Sequence, residues 1–339
     1  MKFAIVDFSL LKNLTSKVCE SLDKYNISYE RVNIESSSGY NRIISGDFTH
    51  VILRAPCDIY ERKNVCDEVA FVLEKYTNTK VYPSIKELMP YENKRYLNFV
   101  LEACGLPFPK TDVFLNKKEA IEFVENVKLP LIYKSNIGAS SSGVRFIRHK
   151  KDAKRLINNA FGYHQYIAFG NSPSKSILKV NVPEIGRAEK HFILFQEVVS
   201  FKWEWRIIKI NNKILAYKKL KGSSGFASGS GKYGYGIPPH ELLELNEKVF
   251  KSLDINSAAV DYFETEEGEF LINEVQCLFG SKPIYKDFSS QMYDEKMNPI
   301  YIELNEMGEF VVKQGDICGN ECWDLRIKEF AKLEVSEIR

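Results

Sequence analysis

Two carboxylates, Asp261 and Glu274, are placed where their spacing suggests chemistry. Residues 257–265 alternate as a strand does, Glu266-Glu267-Gly268-Glu269 supplies a turn, and residues 270–276 read as a returning strand. A turn centred on Glu267-Gly268 pairs 266 with 269, 263 with 272, and Asp261 with Glu274. The two acids then face each other with Cβ atoms roughly 4.5–5.5 Å apart. Gln276 projects from the same face two residues on. Opposed like charges weaken a sheet. A hard divalent cation removes the conflict, since Mg²⁺ takes carboxylate oxygens and completes its shell with substrate phosphates. The plainer alternative is an exposed face on which both acids are solvated.

The elements needed to hold such a pair follow from the chain's rhythm. Residues 1–90 alternate strand and helix, with strands over 2–8, 28–34, 50–54 and around 81, and helices over 14–25 and 63–76. That order implies a parallel sheet, whose ligands gather beyond the carboxyl ends of its strands. Arg54 stands at such an end, with Asp58 just beyond, so both are candidates to contact a substrate. A helix over 91–104 ends at Gly105, Asn116 caps another to about 127, and strands follow over 129–134 and 143–148. The loop between those strands holds Ser140, Ser141, Ser142 and Gly143, whose hydroxyls and N–H groups could cradle phosphate oxygens. A second Gly/Ser tract, 222–232, contains Ser228 and Ser230. It is not a P-loop, because Phe226 stands where the first glycine belongs and Tyr233 follows the Gly-Lys pair. A loop closing over a substrate remains as its reading. Pro238-Pro239 opens a helix to about 253, which leads into the carboxylate hairpin.

Composition excludes several classes. The 339 residues are 44% hydrophobic and 27% charged, with a net charge of +2, the balance of an ordinary soluble globular protein. There is no aromatic-interleaved basic stripe for nucleic acid. No apolar run approaches the roughly 20 residues needed to span a bilayer. The N-terminus reaches Asp7 at once and reads as a strand, not a signal peptide. Seven scattered cysteines fit reduced thiols in a cytoplasmic protein better than a zinc site, because Cys318 and Cys322 have no second pair.

Taken in order, the segments resemble the ATP-grasp superfamily, most of all its ribosomal-protein-modifying glutamate ligases and D-alanine–D-alanine ligases. The resemblance covers about residues 80–283. Asn93-Lys94 and Cys104–Thr111 are similar to the entry into the family's ATP-binding region, and Leu129–Lys134 with its Gly/Ser loop to the nucleotide-covering hairpin. Gln196-Glu197-Val198-Val199 looks like the adenine-reading hinge, and Glu204-Trp205-Arg206 like the family's Asp-x-Arg strand. Asp261 and Glu274 match its metal carboxylates. The resemblance implies ATP and two Mg²⁺ as cofactors, with Lys94 and Lys134 on phosphates, Arg206 and Lys219 at the transferring phosphoryl group, and Asp261, Glu274 and Gln276 on the metal. There are two departures. Gln276 stands where the family has Asn, and Lys134 to Glu197 spans 63 residues (197 less 134), which points to an insertion near 160–190.

The implied fold class is α/β: an N-terminal parallel α/β domain (1–90), then an ATP-grasp fold of two α+β subdomains clasping ATP. These occupy 91–195, including the insertion, and 196–290, the latter carrying the metal site. A C-terminal extension (291–339) has no legible motif and either packs across the ATP region or forms a homodimer contact. The implied activity is an ADP-forming carboxylate–amine ligase. Its partners are a small-molecule carboxylate and an amine, the acceptor being a small molecule, saccharide or amino acid; the 218–232 tract resembles members linked to polysaccharide biosynthesis. The alternatives are an ATP-grasp kinase and a non-catalytic nucleotide-binding module.

Overall fold

A computed structural model describes residues 1–8, 15–56, 60–137, 143–162, 190–222, 225, 227, 230–280 and 290–333. Asp58, Ser140, Ser141, Ser142, Ser228 and most of the expected insertion lie outside the described residues.

The first layer is a parallel sheet of β1 (Phe3–Asp7), β2 (Tyr29–Asn33), β3 (His50–Leu53) and β4 (Lys80–Tyr82), in the order β2-β1-β3-β4. β1 and β3 are buried along their whole lengths, as unbroken apolar runs between helices should be. α1 (Ser16–Lys24), α2 (Ser37–Ser45), α3 (Tyr60–Tyr76) and α4 (Ile85–Leu88) accompany them. α2 has no counterpart in the sequence pattern, because Ser, Gly and Asn dominate it. Ser36 starts it by accepting the Gly39 N–H, and Ile43 is its buried anchor.

The second layer begins with α5 (Lys94–Ala103), which starts three residues later than its apolar pattern suggests. Asn93 caps it by accepting from Tyr96 N–H, which leaves Tyr91 and Glu92 outside. β5 (Thr111–Phe114), α6 (Lys117–Asn126), β6 (Leu131–Lys134), β7 (Val144–Ile147), α7 (Lys150–Phe161) and β8 (Ile193–Glu197) follow. The strands pair antiparallel in the order β5-β8-β6-β7, with α6 and α7 closing a core around Phe114, Val124, Ile157 and Phe195.

The third layer is a wide antiparallel sheet built from β9 (Phe201–Ile210), β10 (Lys213–Lys219), β11 (Tyr233–Gly234), β12 (Ser257–Thr265), β13 (Phe270–Gln276), β14 (Met292–Tyr293), β15 (Pro299–Leu304) and β16 (Phe310–Gln314). The order is β13-β12-β9-β10-β15-β14, with β11 on β10 and β16 on β15. α8 (His240–Leu253) packs on one face, where Tyr262 Oη donates to Asn246 Oδ1 at 2.9 Å. The other face carries the charges.

The C-terminal stretch widens this sheet and then crosses to the first. β15 pairs with β10, while α9 (Trp323–Ala331) sets Trp323, Ile327 and Ala331 into the same core as Phe3 and Leu53. Cys318 and Cys322 are buried and form no disulfide. No helix among the described residues is long and apolar enough to cross a membrane.

Candidate active site

The carboxylate hairpin pairs Asp261 with Glu274 as expected, but by a different route. Gly268, at φ +91°, ends a loop wider than the one assumed, so Phe263 faces Leu271 and not residue 272. A β-bulge between Asp261 and Tyr262 takes up the offset and restores the Asp261–Glu274 and Ala259–Gln276 pairs. The bulge lets Asn273 reach across the charged face. Its Oδ1 accepts from Lys134 Nζ at 2.9 Å, and its Nδ2 donates to Glu204 Oε2 at 2.9 Å. Sequence reasoning missed Asn273, which regular alternation assigns to the opposite face.

Glu204, Arg206, Lys219, Asp261 and Glu274 share one face through direct cross-strand pairs. Asp261 is neutralised here by cationic side chains. Arg206 grips Asp261 through Nε and Nη2, both at 2.7 Å, and Lys219 Nζ donates to Asp261 at 2.6 Å. Lys219 also donates to Glu204 at 2.5 Å, and Arg206 Nη2 reaches Gln276 Oε1 at 3.0 Å. Burial works to raise the pKa of Asp261, but Arg206 and Lys219 overcome it and hold the carboxyl well below its usual range. For Glu204, burial wins over Lys219 and pushes the carboxyl up. Glu274 is the more open acid, 23% exposed, and lies 3.8 Å from Lys94 Nζ. Glu92, buried with φ +48°, approaches the same ammonium at 3.7 Å.

A cavity of about 380 Å³ opens beside this cluster. Its apolar walls are Ile132, Val144 and Phe146 on one side, and Phe201 and Phe263 on the other, the last two with centroids 4.5 Å apart. Lys94, Lys134, Glu204, Asn273 and Glu274 form its polar end, and the hinge from Gln196 to Val199 forms its rim. Burial pulls Lys134 down to about 8, and the neighbouring Lys94 charge adds to the effect. The hinge side chains are already engaged. Gln196 Nε2 donates to Thr111 Oγ1 at 2.9 Å, and Glu197 Oε1 accepts from Lys110 N–H at 2.9 Å. Glu197 is thereby tied to the approach of β5 through one carboxylate oxygen and through its own N–H, which donates to Lys110 O. Lys221, just before the second Gly/Ser tract, and Gly225 and Ala227 within it line the cavity, with Lys221 Nζ 4.3 Å over the Phe201 ring.

The remaining predicted residues are placed elsewhere. Gly143 sits at the foot of the β6–β7 hairpin, where an added Cβ would come within 1.7 Å of Ser135 Oγ and would displace that hydroxyl from its bond to Ile137 O. Ser230 Oγ accepts from Lys232 N–H within its own turn and does not line the cavity. Arg54 lies outside the cavity too, its guanidinium 5.9 Å from the Trp323 ring.

The arrangement joins an apolar slot to a cluster of lysines and carboxylates, the mixture of apolar walls and a few convergent polar groups that small-molecule sites have. The profile of the family described as D-ala D-ala ligase C-terminus matches residues 100–284, more than half of the chain. The chain belongs to that family. It is thus an ATP-grasp ligase, of a class that joins carboxylates to amines at the expense of ATP. Among curated proteins it is similar to the alpha-aminoadipate–LysW ligase LysX of Saccharolobus solfataricus, at 23% identity over 236 residues, covering 69% of this chain and 78% of the relative. The solved D-alanine–D-alanine ligase from Bacillus anthracis superposes with a TM-score of 0.56 at 15% identity, covering 82% of this chain and 87% of that one. A RimK domain ATP-grasp protein from Sphaerobacter thermophilus gives 0.51 at 14% identity, covering 81% and 90%. At these identities the two superpositions speak for the fold alone, and that fold is the one expected.

Proposed function

We propose that the protein is an ATP-dependent carboxylate–amine ligase working through an acylphosphate on a small-molecule, saccharide or amino-acid acceptor. The observation that carries this reading is a single cavity whose polar end, Lys94, Lys134, Asn273 and Glu274, adjoins the Arg206–Asp261–Lys219 cluster through Glu204. A nucleotide base would lie between the apolar walls and meet the hinge backbone. Lys134 and Lys94 would then bind phosphate oxygens as point charges. The acceptor carboxylate attacks the γ-phosphorus and the bond to the β-phosphate oxygen breaks, releasing ADP. The amine then attacks the acyl carbon, phosphate leaves with the electrons of the C–O bond, and the amine gives up a proton. Arg206 and Lys219 would face the charge that spreads over the transferring phosphoryl group. In this scheme residues 1–90 support the acceptor, 91–195 and 196–290 clasp the nucleotide, and 291–339 brace them.

The charge count favours Mg²⁺ as the companion of the nucleotide. Lys94, Lys134, Arg206 and Lys219 are matched by Glu92, Glu204, Asp261 and Glu274, so four charges of each sign cancel before a triphosphate arrives. The oxygen donors suit a hard cation. Glu274 faces the cavity, while Asp261 and Gln276 are shared with Arg206. Mg²⁺ bound there would supply neutralisation of the phosphate charge. Product analysis tests the proposal. ADP and free phosphate should appear in equal amounts, and only when carboxylate and amine are both supplied. A stable phosphorylated acceptor in ³¹P NMR without amine would replace the ligase with a kinase.

A further inference from the structure

Lys94 and Lys134 reach the cavity from different elements, and their like charges repel. Lys94 is the first residue of α5, and Lys134 is the last of β6. One residue joins the two elements. Asn136, two positions past Lys134, accepts Lys94 N–H through its carbonyl at 3.3 Å and Arg95 N–H through Oδ1 at 2.8 Å. The opening N–H groups of a helix have no partner within it. Asn93 takes that of Tyr96, and Asn136 takes the two before it, the Arg95 bond spanning 41 positions of the chain. The segment is anchored in turn. Ser135 N–H donates to Gly143 O at 2.8 Å, Ser135 Oγ donates to Ile137 O at 2.6 Å, and Ser135, Asn136 and Ile137 are all buried.

The other end of the Asn136 amide is left over. The bond from Arg95 N–H fixes Oδ1 as the oxygen, so Nδ2 is buried with no acceptor among the described residues. An unsatisfied buried donor is destabilising. Stability alone therefore does not account for an amide at this position. An aspartate would accept the same bond without an orphaned donor, but it would add a negative charge to the elements that carry the two lysines. The amide is a neutral acceptor that leaves their positive charge whole. We propose that Asn136 is a positioning residue that holds Lys94 and Lys134 at one spacing, so that both meet the phosphates of a single nucleotide. The inference rests on the ligase reading above. Asn136 is not among the residues lining the cavity, so it acts through Lys94 and not on the ligand.

Calorimetry of ADP binding to the full chain tests this with the wild type, N136A, K94A and the double variant. N136A should weaken ADP binding roughly tenfold, the loss of one charged contact, yet cost little more once Lys94 is already alanine. N136A should also move the pH at which ADP affinity falls above 8, because Lys134 loses a repelling neighbour when Lys94 retreats. The proposal is overturned if N136A binds ADP as the wild type does, if the two losses multiply as independent ones do, or if the pH of the fall does not move. A thermal melt identifies an alanine variant that fails to fold, and N136S, with a shorter acceptor, then takes its place in the cycle with the same outcomes. Failure of the wild-type protein to bind ADP would instead remove the ligase reading on which the inference rests.

Discussion

Burial holds the Lys134 ammonium at a pKa of about 8, and a phosphate oxygen beside it would pull that value back up. The folded value lies below the unfolded 10.5, so this group opposes folding in full below pH 8 and ceases to do so as pH rises towards 10.5. On the proposed function, nucleotide binding has the opposite preference, since the phosphate contact needs the ammonium. Affinity for ADP or ATP should therefore fall as pH climbs through 8, and binding near that pH should take up a proton. Calorimetry in two buffers of different ionisation enthalpy reads the uptake directly, and buffer-independent heats would refute it. Lys134→Met should abolish the uptake and weaken binding, with a ligand-free melting temperature unchanged or slightly higher, because it removes a buried charge next to Lys94. The paired acids differ more than their symmetry in sequence suggests. Asp261→Asn leaves Arg206 and Lys219 buried without their shared partner, and should cost about 3–5 kcal/mol in denaturant unfolding. Glu274 is part-exposed and 3.8 Å from its nearest cation, so Glu274→Gln should change stability by less than about 1 kcal/mol while abolishing turnover. Equal destabilisation by the two would contradict the ion-pair geometry. Below pH 4 the Asp261 contribution should fade, since its depressed pKa stabilises the fold only above the unfolded value and is lost as pH drops through the folded one.

The hairpin that carries these acids shows what alternation can and cannot reveal. The Asp261–Glu274 pair was legible because two departures from a regular hairpin cancel: the wider Gly268 loop shifts the pairing by one residue, and the bulge shifts it back. Neither departure has a signature in residue type alone, so Asn273 stayed hidden although it links Lys134 to Glu204. The capture of Asp261 by Arg206 and Lys219 was hidden for a related reason. Each residue was legible as a candidate, but their mutual distances depend on β9, β10 and β12 lying side by side, a long-range fact. The strands of the first sheet and the cap at Asn116 were readable because burial and local hydrogen bonds decide them. α2 was not, since a single cap and one buried side chain support it. The bulge yields its own prediction. Asn273→Ala should keep the fold, at a cost of about 1–2 kcal/mol, yet weaken ADP binding several-fold by freeing Lys134 from its acceptor. Isothermal titration with a thermal-melt control checks this. Unchanged affinity would make the bulge a twist device with no part in the site.

At the scale of the whole molecule, the stretch after residue 290 is what ties the layers together. β15 extends the wide sheet at β10, and α9 then crosses to the parallel sheet, where Trp323 packs near Tyr82, with the guanidinium groups of Arg54 and Arg326 5.9 and 4.6 Å from its ring. The approach is braced. Asn320, in a left-handed conformation, donates to Lys17 O and Ser21 Oγ on α1, and Asp324 accepts from Ser21 and Lys24. Arg326, 1% exposed, donates to the Phe279 carbonyl just beyond β13 and stacks on the Phe279 ring at 3.6 Å. One helix thus touches the parallel sheet and the strand end that carries Glu274 and Gln276. None of this was readable from a segment without a motif, because its apolar residues find their partners some 300 positions earlier in the chain. The consequence is mechanical coupling between a layer that does not line the cavity beside the charged cluster and the layer that does. Trp323→Ala, which empties a buried aromatic site, should cost about 3–5 kcal/mol. If α9 couples the layers, the variant should still melt in one transition, at lower temperature, with ADP raising that temperature as it does in the wild type. If the first layer is an independent unit, calorimetry should resolve two transitions, with only the lower one moved by the substitution and only the upper one raised by ADP.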